Sequence, residues 1–360
     1  MTDALLRLLA IRSTAGRPED LRRALDLVLG VVGPGFTVER FESGGKPSAL
    51  LYPGPERPHF RVLFNGHLDV VPGSAEQFRP RRAGPFLYAR GAHDMKAAAL
   101  VLAEVFRDTA RRLPFPLGLQ LVTDEEVGGY DGTAHQEVDA DFVLIGEQSG
   151  LRVVAESKGI LQVRLVARGR SAHAAYPWLG SNALVALQAG VGAVLARYPT
   201  PEAEVWRTTV NLARIETGNR AVNQVPAEAT AWLDVRFPPD DPDFAGRSKE
   251  AIAARLRELS GLEVVVDSLG APHSADPSSA DVRRLQEAAG SPGTLLRKHG
   301  AADGRFYSAR GIDAVIFGPG GAGQHGPDEH LDLRTLEPYR EELIDFLRRV
   351  ASSGEGGGVP

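Results

Sequence analysis

The sequence has 360 residues, 43% hydrophobic and 24% charged, which is the composition of a globular protein large enough for two domains. Its formal net charge of −5 argues against a nucleic-acid partner, which would require a basic patch or stripe. Cysteine is absent, which excludes disulfides and thiolate metal sites. We see neither a signal-peptide pattern nor an apolar run of the ~18 residues that cross a bilayer, so we expect a cytoplasmic protein without a membrane partner.

The first 157 residues alternate short apolar runs with helical patterns. We predict helices at 3–10, 19–31 and 95–112, and strands at 60–64, 117–122 and 142–145. The helix at 95–112 is the strongest of these, because it is rich in alanine and leucine and has an apolar stripe. This alternation predicts an α/β fold in which a mixed, mostly parallel sheet is sandwiched by helices.

The middle of the chain has a different pattern. Four segments alternate as strands do (160–168, 209–215, 230–237 and 263–269), with helices near 180–197 and 245–259. The β/α pattern then returns in 281–289, 314–317 and 336–350. We therefore predict a discontinuous domain formed by residues 1–157 and 273–350, an inserted four-stranded α+β domain at 158–272, and a flexible tail at 351–360.

Acidic and imidazole side chains follow the predicted strands of the discontinuous domain or begin the next element. Ligands bind outside the carboxyl ends of the strands in open α/β sheets, so we expect these groups to meet in one crevice. Taken singly, each has an ordinary alternative as a surface histidine or a solvated acidic pair. The residues are His67, Asp69, Asp94, Glu125, Glu126, Glu147 and His325.

Several carboxylates in one crevice would repel one another at neutral pH unless cations neutralised them. Two divalent ions would remove that cost. Nitrogen and oxygen ligands without thiolate suit zinc, with cobalt or manganese as substitutes. The sequence therefore predicts a site for two metal ions.

Four segments carry a family resemblance. NGHLDVVP (65–72), RGAHDMK (90–96), TDEEVGG (123–129) and GE (146–147) occur in this order. They resemble the zinc metallopeptidase and deacylase family of acetylornithine deacetylase, succinyl-diaminopimelate desuccinylase, aminoacylase-1 and glutamate carboxypeptidase. The resemblance covers about residues 1–350, and it implies a di-zinc aminopeptidase-like catalytic domain with an inserted lid or dimerisation domain.

The resemblance also implies a role for each candidate ligand. Asp94 would bridge two Zn²⁺ ions and would be followed by a cis peptide bond. His67 and Glu147 would complete one metal site, and Glu126 and His325 would complete the other.

Two further acidic residues would support the chemistry. Glu125 would be the general base, and Asp69 would orient the ring of His67. Gln148 departs from the family pattern, which has proline at that position.

The inserted domain has its own signature, GRSAHAAYP (169–177), which resembles the family's lid segment. Its His173 would reach the active site of the partner subunit in a homodimer and stabilise the oxyanion. Taken alone, His173 would be interpreted as a loop histidine beside Tyr176.

The resemblance extends to the substrate pocket. Tyr176, with the segments NQVP (223–226, beginning at Asn223) and DVR (234–236, ending at Arg236), would line it. Arg305 of DGRF (303–306) would bind a substrate carboxylate through its planar fork. Structural salt bridges are the alternative for both arginines.

These features together predict a di-zinc amidohydrolase that removes the acyl group of an N-acylated amino acid through attack by a metal-bridging water. A carboxypeptidase or dipeptidase acting on short peptides is the alternative, since it needs the same metals and the same carboxylate contact. A non-catalytic binding or scaffold protein is disfavoured, because Glu125 and every expected ligand are present.

Overall fold

The computed structural model describes residues 3–354, which divide into two compact units. The first unit runs to Ala155 and resumes in Ser274–Arg297 and from Ala302 onwards. The second consists of Glu156–His273 and Lys298–Ala301. The segment 298–301 thus clusters with the second unit, although its sequence pattern gives no sign of this.

The first unit begins with helices, a hairpin and the strands of the main sheet. Its elements up to the second unit are α1 (Asp3–Leu9), α2 (Pro18–Val32), β1 (Thr37–Ser43), β2 (Lys46–Tyr52), β3 (Val62–His67), β4 (Arg81–Ala83), β5 (Phe86–Tyr88), α3 (Lys96–Thr109), β6 (Leu117–Val122), α4 (Thr133–Gln136), β7 (Phe142–Ile145) and β8 (Val154–Ser157).

The second unit and the return of the chain follow in order. The elements are β9 (Gly159–Arg168), α5 (Ala183–Arg197), β10 (Thr209–Glu216), β11 (Glu228–Phe237), α6 (Lys249–Ser260), β12 (Glu263–Gly270), β13 (His273–Ser274), α7 (Ala280–Ala288), β14 (Leu296–Lys298), α8 (Gly304–Ser308), β15 (Asp313–Ile316), β16 (Gly321–Ala322), β17 (His330–Asp332) and α9 (Leu336–Gly354).

The main sheet confirms the expected α/β class. Within residues 3–354 it has nine strands, in the order β1-β2-β6-β3-β7-β15-β8-β13 with β14 beside β8. Its central strands β6, β3, β7 and β15 pair in parallel. The outer pairs β1–β2, β2–β6 and β15–β8 are antiparallel. The carboxyl ends of the four central strands therefore lie at one edge, where the candidate site residues begin.

Helix α3 packs its whole first half into the core of this unit. Every residue from Lys96 to Ala103 is buried. The run of alanines gives high helix propensity and lets the helix approach the sheet closely. Because α3 begins two residues after Asp94, this packing restricts the position of that residue.

The structure corrects several expected boundaries. The strand predicted at 60–64 is β3, which begins at Val62 and ends at His67. Its polar residue Asn65 is buried and hydrogen-bonded, so the strand continues beyond the apolar run. The hairpin β1–β2 was not predicted. Gly44 and Gly45, with φ of +53° and +72°, form its two-residue turn.

The second unit confirms the expected four-stranded α+β fold. Its described residues form an antiparallel sheet in the order β10-β11-β9-β12, packed against α5 and α6. Helix α5 begins at Ala183 rather than near 180, because the Asn182 side chain accepts hydrogen bonds from the N–H groups of Leu184 (3.0 Å) and Val185 (3.3 Å).

The end of the chain differs from the expected tail. Helix α9 continues to Gly354, so the first residues of the segment 351–360 are helical. Residues 355–360 lie outside the described residues. Among residues 3–354 there is no helix whose length and apolar character would let it cross a membrane.

Candidate active site

The candidate ligands of the first unit meet at the carboxyl ends of the central strands. His67 is the last residue of β3. Glu125 and Glu126 begin a short 3-10 helix after β6, and Glu147 follows β7. His325 lies in the glycine-rich loop between β16 and β17. The parallel arrangement of these strands is what brings residues from distant parts of the sequence to one edge.

Asp94 lies between the two imidazole rings. Its Oδ1 is 3.0 Å from Nε2 of His67, and its Oδ2 is 3.4 Å from Nε2 of His325. The peptide bond from Asp94 to Met95 is cis, as the resemblance implies. The Gln148 amide also donates to Asp94 Oδ2 at 3.2 Å, a contact that sequence reasoning missed.

The three glutamates complete two overlapping groups of potential ligand atoms. One group contains His67, Glu125 and Glu147, and the other contains His67, Asp94 and Glu126; within each group the atoms lie within 4.8 Å of one another. Glu126 Oε2 is also 3.0 Å from His325 Nε2. The structure therefore brings these five side chains and His325 together, and both Glu125 and Glu147 lie within 4.8 Å of His67.

Asp69 holds the two adjacent glutamates by their backbone. Its carboxylate is fully buried and accepts hydrogen bonds from the N–H groups of Glu125 (3.3 Å) and Glu126 (2.9 Å). Its Oδ1 lies 3.5 Å from His67 Nδ1, and its carbonyl oxygen lies 3.1 Å from the same nitrogen. Asp69 thus contacts both the imidazole of His67 and the backbone of the acidic turn.

Asp124 stabilises the same turn from the other side. Its Oδ2 accepts hydrogen bonds from the N–H groups of Asp131 (2.7 Å) and Gly132 (3.0 Å). Burial, with a contribution from the Asp303 carboxylate, raises the pKa of Asp124 to about 7. No sequence signal beyond its adjacency to Glu125 indicated this role.

The carboxylates of this cluster favour positive charge on and beside their neighbours. Burial, followed by the Glu147 carboxylate, raises the pKa of Glu125 well above its ordinary value. Burial lowers the pKa of His67, but Asp69 and Asp94 outweigh it and raise that pKa well above 6.5. Hydrogen bonds with Asp94 and Glu126 raise the pKa of His325 to about 10. These carboxylates stabilise the protonated form of the neighbouring imidazoles. A bound divalent cation would be stabilised in the same way, so the set of oxygen and nitrogen donors fits such ions.

A polar network lies beside the cluster on β3. The Asn65 side chain, two residues before His67, donates to Gln120 Oε1 (3.0 Å), Thr133 Oγ1 (3.3 Å) and Tyr307 Oη (3.0 Å). These groups are buried, so each hydrogen bond is costly to lose. The sequence signal for this network is the presence of polar residues inside apolar strands, which was not among the features used to predict the site.

Arg305 lies on α8 in the first unit and is buried. Its Nη2 donates to the carbonyl oxygen of Gly128 at 2.6 Å, and its Nη1 to that of Ala302 at 3.3 Å. The guanidinium also lies over the Phe306 ring, 4.6 Å from its centroid. These contacts tie Arg305 to the turn that follows Glu126; binding of a substrate carboxylate stays a prediction.

The predicted lid residues lie together in the second unit. His173 is exposed, and its Nδ1 accepts a hydrogen bond from the N–H of Ala175 at 3.1 Å. Its ring is 5.8 Å from that of Tyr176, and the carbonyl of Asn223 accepts from the N–H of Ala174 at 2.9 Å. These contacts place the segments around 173 and 223 side by side.

Arg236 makes a bidentate ion pair with Asp234 on β11, at 2.7 Å and 3.2 Å. This pair is the structural salt bridge that sequence reasoning kept as the alternative to a substrate contact. A role in binding a substrate carboxylate stays a prediction for Arg236 as well.

Comparison with known proteins now assigns the family. Residues 63–349 match the model of peptidase family M20/M25/M40. The chain belongs to this family. As its members do, it hydrolyses amide C–N bonds in a metal-dependent way.

Curated relatives match along most of their length. The chain is 29% identical over 364 residues to succinyl-diaminopimelate desuccinylase of Bordetella parapertussis, covering 92% of this chain and 94% of the relative. It is 30% identical over 352 residues to the desuccinylase of Alkalilimnicola ehrlichii, covering 88% and 90%.

Solved structures share the fold. The M20 family metallo-carboxypeptidase Sso-CP2 of Sulfolobus solfataricus has a TM-score of 0.77 at 18% identity, covering 97% of this chain and 99% of the other. Human carnosine dipeptidase 1 has a TM-score of 0.68 at 15% identity, covering 97% and 96%. At these identities the likeness establishes the fold of this family hydrolase.

Proposed function

We propose that this family member is a two-zinc deacylase that removes the acyl group of an N-acylated amino acid. The position of the Asp94 carboxylate between the imidazoles of His67 and His325 carries the proposal, because a shared carboxylate is what a two-metal site needs. The desuccinylase relatives support a small N-acyl amino acid as substrate. A cytoplasmic location is part of the same proposal.

The chain's own residues suit this metal pair. His67 and Glu147 would hold one ion, Glu126 and His325 the other, and Asp94 would be shared; cobalt or manganese could replace zinc. Bound cations of this kind supply Lewis-acid polarisation of a carbonyl and lower the pKa of water.

Glu125 is the proposed proton carrier. Its carboxylate lies within 4.8 Å of potential ligand atoms of His67 and Glu147, where it would take a proton from water and return it to the leaving amine. Asp69 fixes its position, since the Asp69 carboxylate accepts the Glu125 backbone N–H. The base therefore sits on a turn whose backbone is held by buried hydrogen bonds.

A substrate panel tests the proposal. We expect the zinc-loaded protein to release amine from N-acyl amino acids such as N-succinyl-diaminopimelate and N-acetylornithine. The kcat/KM for these should exceed that for dipeptides by roughly tenfold or more, the scale on which pocket contacts discriminate. Carboxamide analogues should be poor substrates if Arg305 or Arg236 binds the free carboxylate. Turnover of dipeptides with none of the N-acyl amino acids would instead favour the peptidase alternative.

We also propose a homodimer formed through the second unit. Strands β10 and β12 are the edges of its sheet, and an exposed edge is a template for pairing with another chain. Large apolar side chains are exposed on this unit, including Ile215 (48%) on β10 and Val185 (61%) on α5. A two-fold axis through the β10 edge would bury Ile215, and His173 would then act in the partner's site.

The molecular mass in solution tests the dimer directly. Light scattering at micromolar concentration should give about twice the chain mass of 38.5 kDa. Ile215→Lys should shift the mass towards the monomer if β10 is the paired edge, whereas Val38→Lys on β1 of the first unit should leave it unchanged. A fully active monomeric wild type would contradict both the dimer and the role of His173 in the partner's site.

A further inference from the structure

A buried ion pair lies beneath the candidate metal site. Arg90 Nη1 and Glu329 Oε2 are 2.5 Å apart, and the two side chains are 3% and 1% exposed. Neither residue is an expected metal ligand, and they are 239 positions apart in the sequence. The pair connects the segment that contains Asp94 with the segment that contains His325.

Glu329 holds the Asp94 segment by its backbone. Its Oε1 accepts hydrogen bonds from the N–H groups of His93 and Asp94, both at 3.1 Å. Its Oε2 is engaged by Arg90 at the same time. Because a carboxylate has two acceptor oxygens, it can serve both partners, which a glutamine amide in its place cannot.

Arg90 holds the His325 segment by its carbonyl groups. Its Nη2 donates to the carbonyl oxygens of His325 (3.2 Å) and Gly326 (3.3 Å). His325 has φ of +61°, a conformation that is uncommon for residues other than glycine. The planar fork of arginine lets one side chain reach Glu329 and both carbonyls.

Stability alone does not account for this arrangement. Burying two charges costs desolvation energy that their attraction only partly returns, so apolar residues would stabilise the fold about as well. What apolar residues could not provide is simultaneous contact with the backbones of Asp94 and His325.

We propose that the Arg90–Glu329 pair is a positioning clamp, which fixes Asp94 and His325 relative to each other and so sets the geometry of the metal site. The metal-binding part of this inference rests on the proposed function. The backbone part does not, since it concerns hydrogen bonds between residues of the chain itself.

The test uses the full chain and two variants. Glu329→Gln cannot satisfy the backbone amides and Arg90 together. Arg90→Lys keeps the charge and a partner for Glu329 but loses the fork, and it provides a milder variant if Glu329→Gln does not fold. Asp281→Asn is the matched control. It removes the nearer of the two carboxylate partners of Arg61, a part-buried guanidinium elsewhere in the first unit.

The first readout is hydrogen exchange of the metal-free protein. Peptides covering 90–96 and 323–330 should exchange faster in both clamp variants than in the wild type, and at the wild-type rate in the control. The second readout is Co²⁺ binding, followed by its visible spectrum. Affinity should fall roughly 10- to 100-fold in the clamp variants, the usual cost of losing a group that orients metal ligands, and the spectrum should change.

The outcomes separate the two claims. If the wild type binds no Co²⁺ or Zn²⁺, the proposed function fails, and the exchange data alone decide whether the clamp orders both segments. If the wild type binds metal but both variants keep wild-type exchange, affinity and spectrum, the clamp is overturned. A control that weakens metal binding as much as the clamp variants would also overturn it, since the effect would then come from general destabilisation.

Discussion

Replacing Glu125 with glutamine should lower kcat by at least ~10²-fold, the scale expected when a general base is lost. Glutamine keeps the size of the side chain and its place in the turn held by Asp69, but it cannot accept a proton. Metal content should stay at the wild-type value, because Glu126 rather than Glu125 is the proposed ligand. Steady-state kinetics and metal analysis of the same preparation measure both quantities.

Glu126→Gln is the matched control for that experiment. It also replaces a carboxylate with an amide, but at the neighbouring residue, whose side chain lies 3.0 Å from His325. We expect this variant to bind less metal. The comparison matters because Glu125 also lies with His67 and Glu147 in a group of potential ligands. If Glu125→Gln loses metal while Glu126→Gln keeps it, the proposed roles of the two glutamates are interchanged.

Asp94→Asn should have the largest effect of any single substitution. Asp94 faces both His67 and His325, so one change removes the shared carboxylate from both proposed metal sites. We expect bound metal to fall below two equivalents and kcat/KM to drop by about 10³-fold or more, which corresponds to several kcal/mol of lost charge stabilisation.

Asp108→Asn serves as the control, because it neutralises a carboxylate on α3, the helix that begins just after Asp94. Asp108 is paired with Arg107 and Arg340, at 2.8 Å and 3.1 Å, and it is one-third exposed. Its loss should leave the metal content and kinetics near wild type. An Asp94→Asn protein with two metal equivalents and normal turnover would show that this carboxylate does not bridge the ions.

The sequence predicts which side chains meet at this edge of the sheet because they follow strand ends. An apolar run such as Leu117–Val122 indicates a buried strand, and the next polar residues are then expected at the edge of the sheet. Glu125 and Glu126 were found in this way. Their roles needed the family resemblance, because spacing along the chain does not reveal which oxygen faces which imidazole.

Other features depend on contacts that leave no local pattern. Arg90 and Glu329 are ordinary charged residues in the sequence, and their pairing across 239 positions follows from the fold. The outer antiparallel strands of the main sheet were also missed. Strand β2 is buried along nearly its whole length and so lacks the alternation that marks a half-exposed strand.

Metal removal and reconstitution test the central claim, a catalytic two-metal site, most directly. The protein should be stripped with a strong chelator, checked for residual metal, and assayed on the best substrate of the panel while zinc is added back in known amounts. We expect the metal-free protein to be inactive and activity to return with a break near two equivalents of zinc per chain. Full activity in protein shown to be metal-free, or full recovery with one equivalent and no further binding, would contradict the two-metal account.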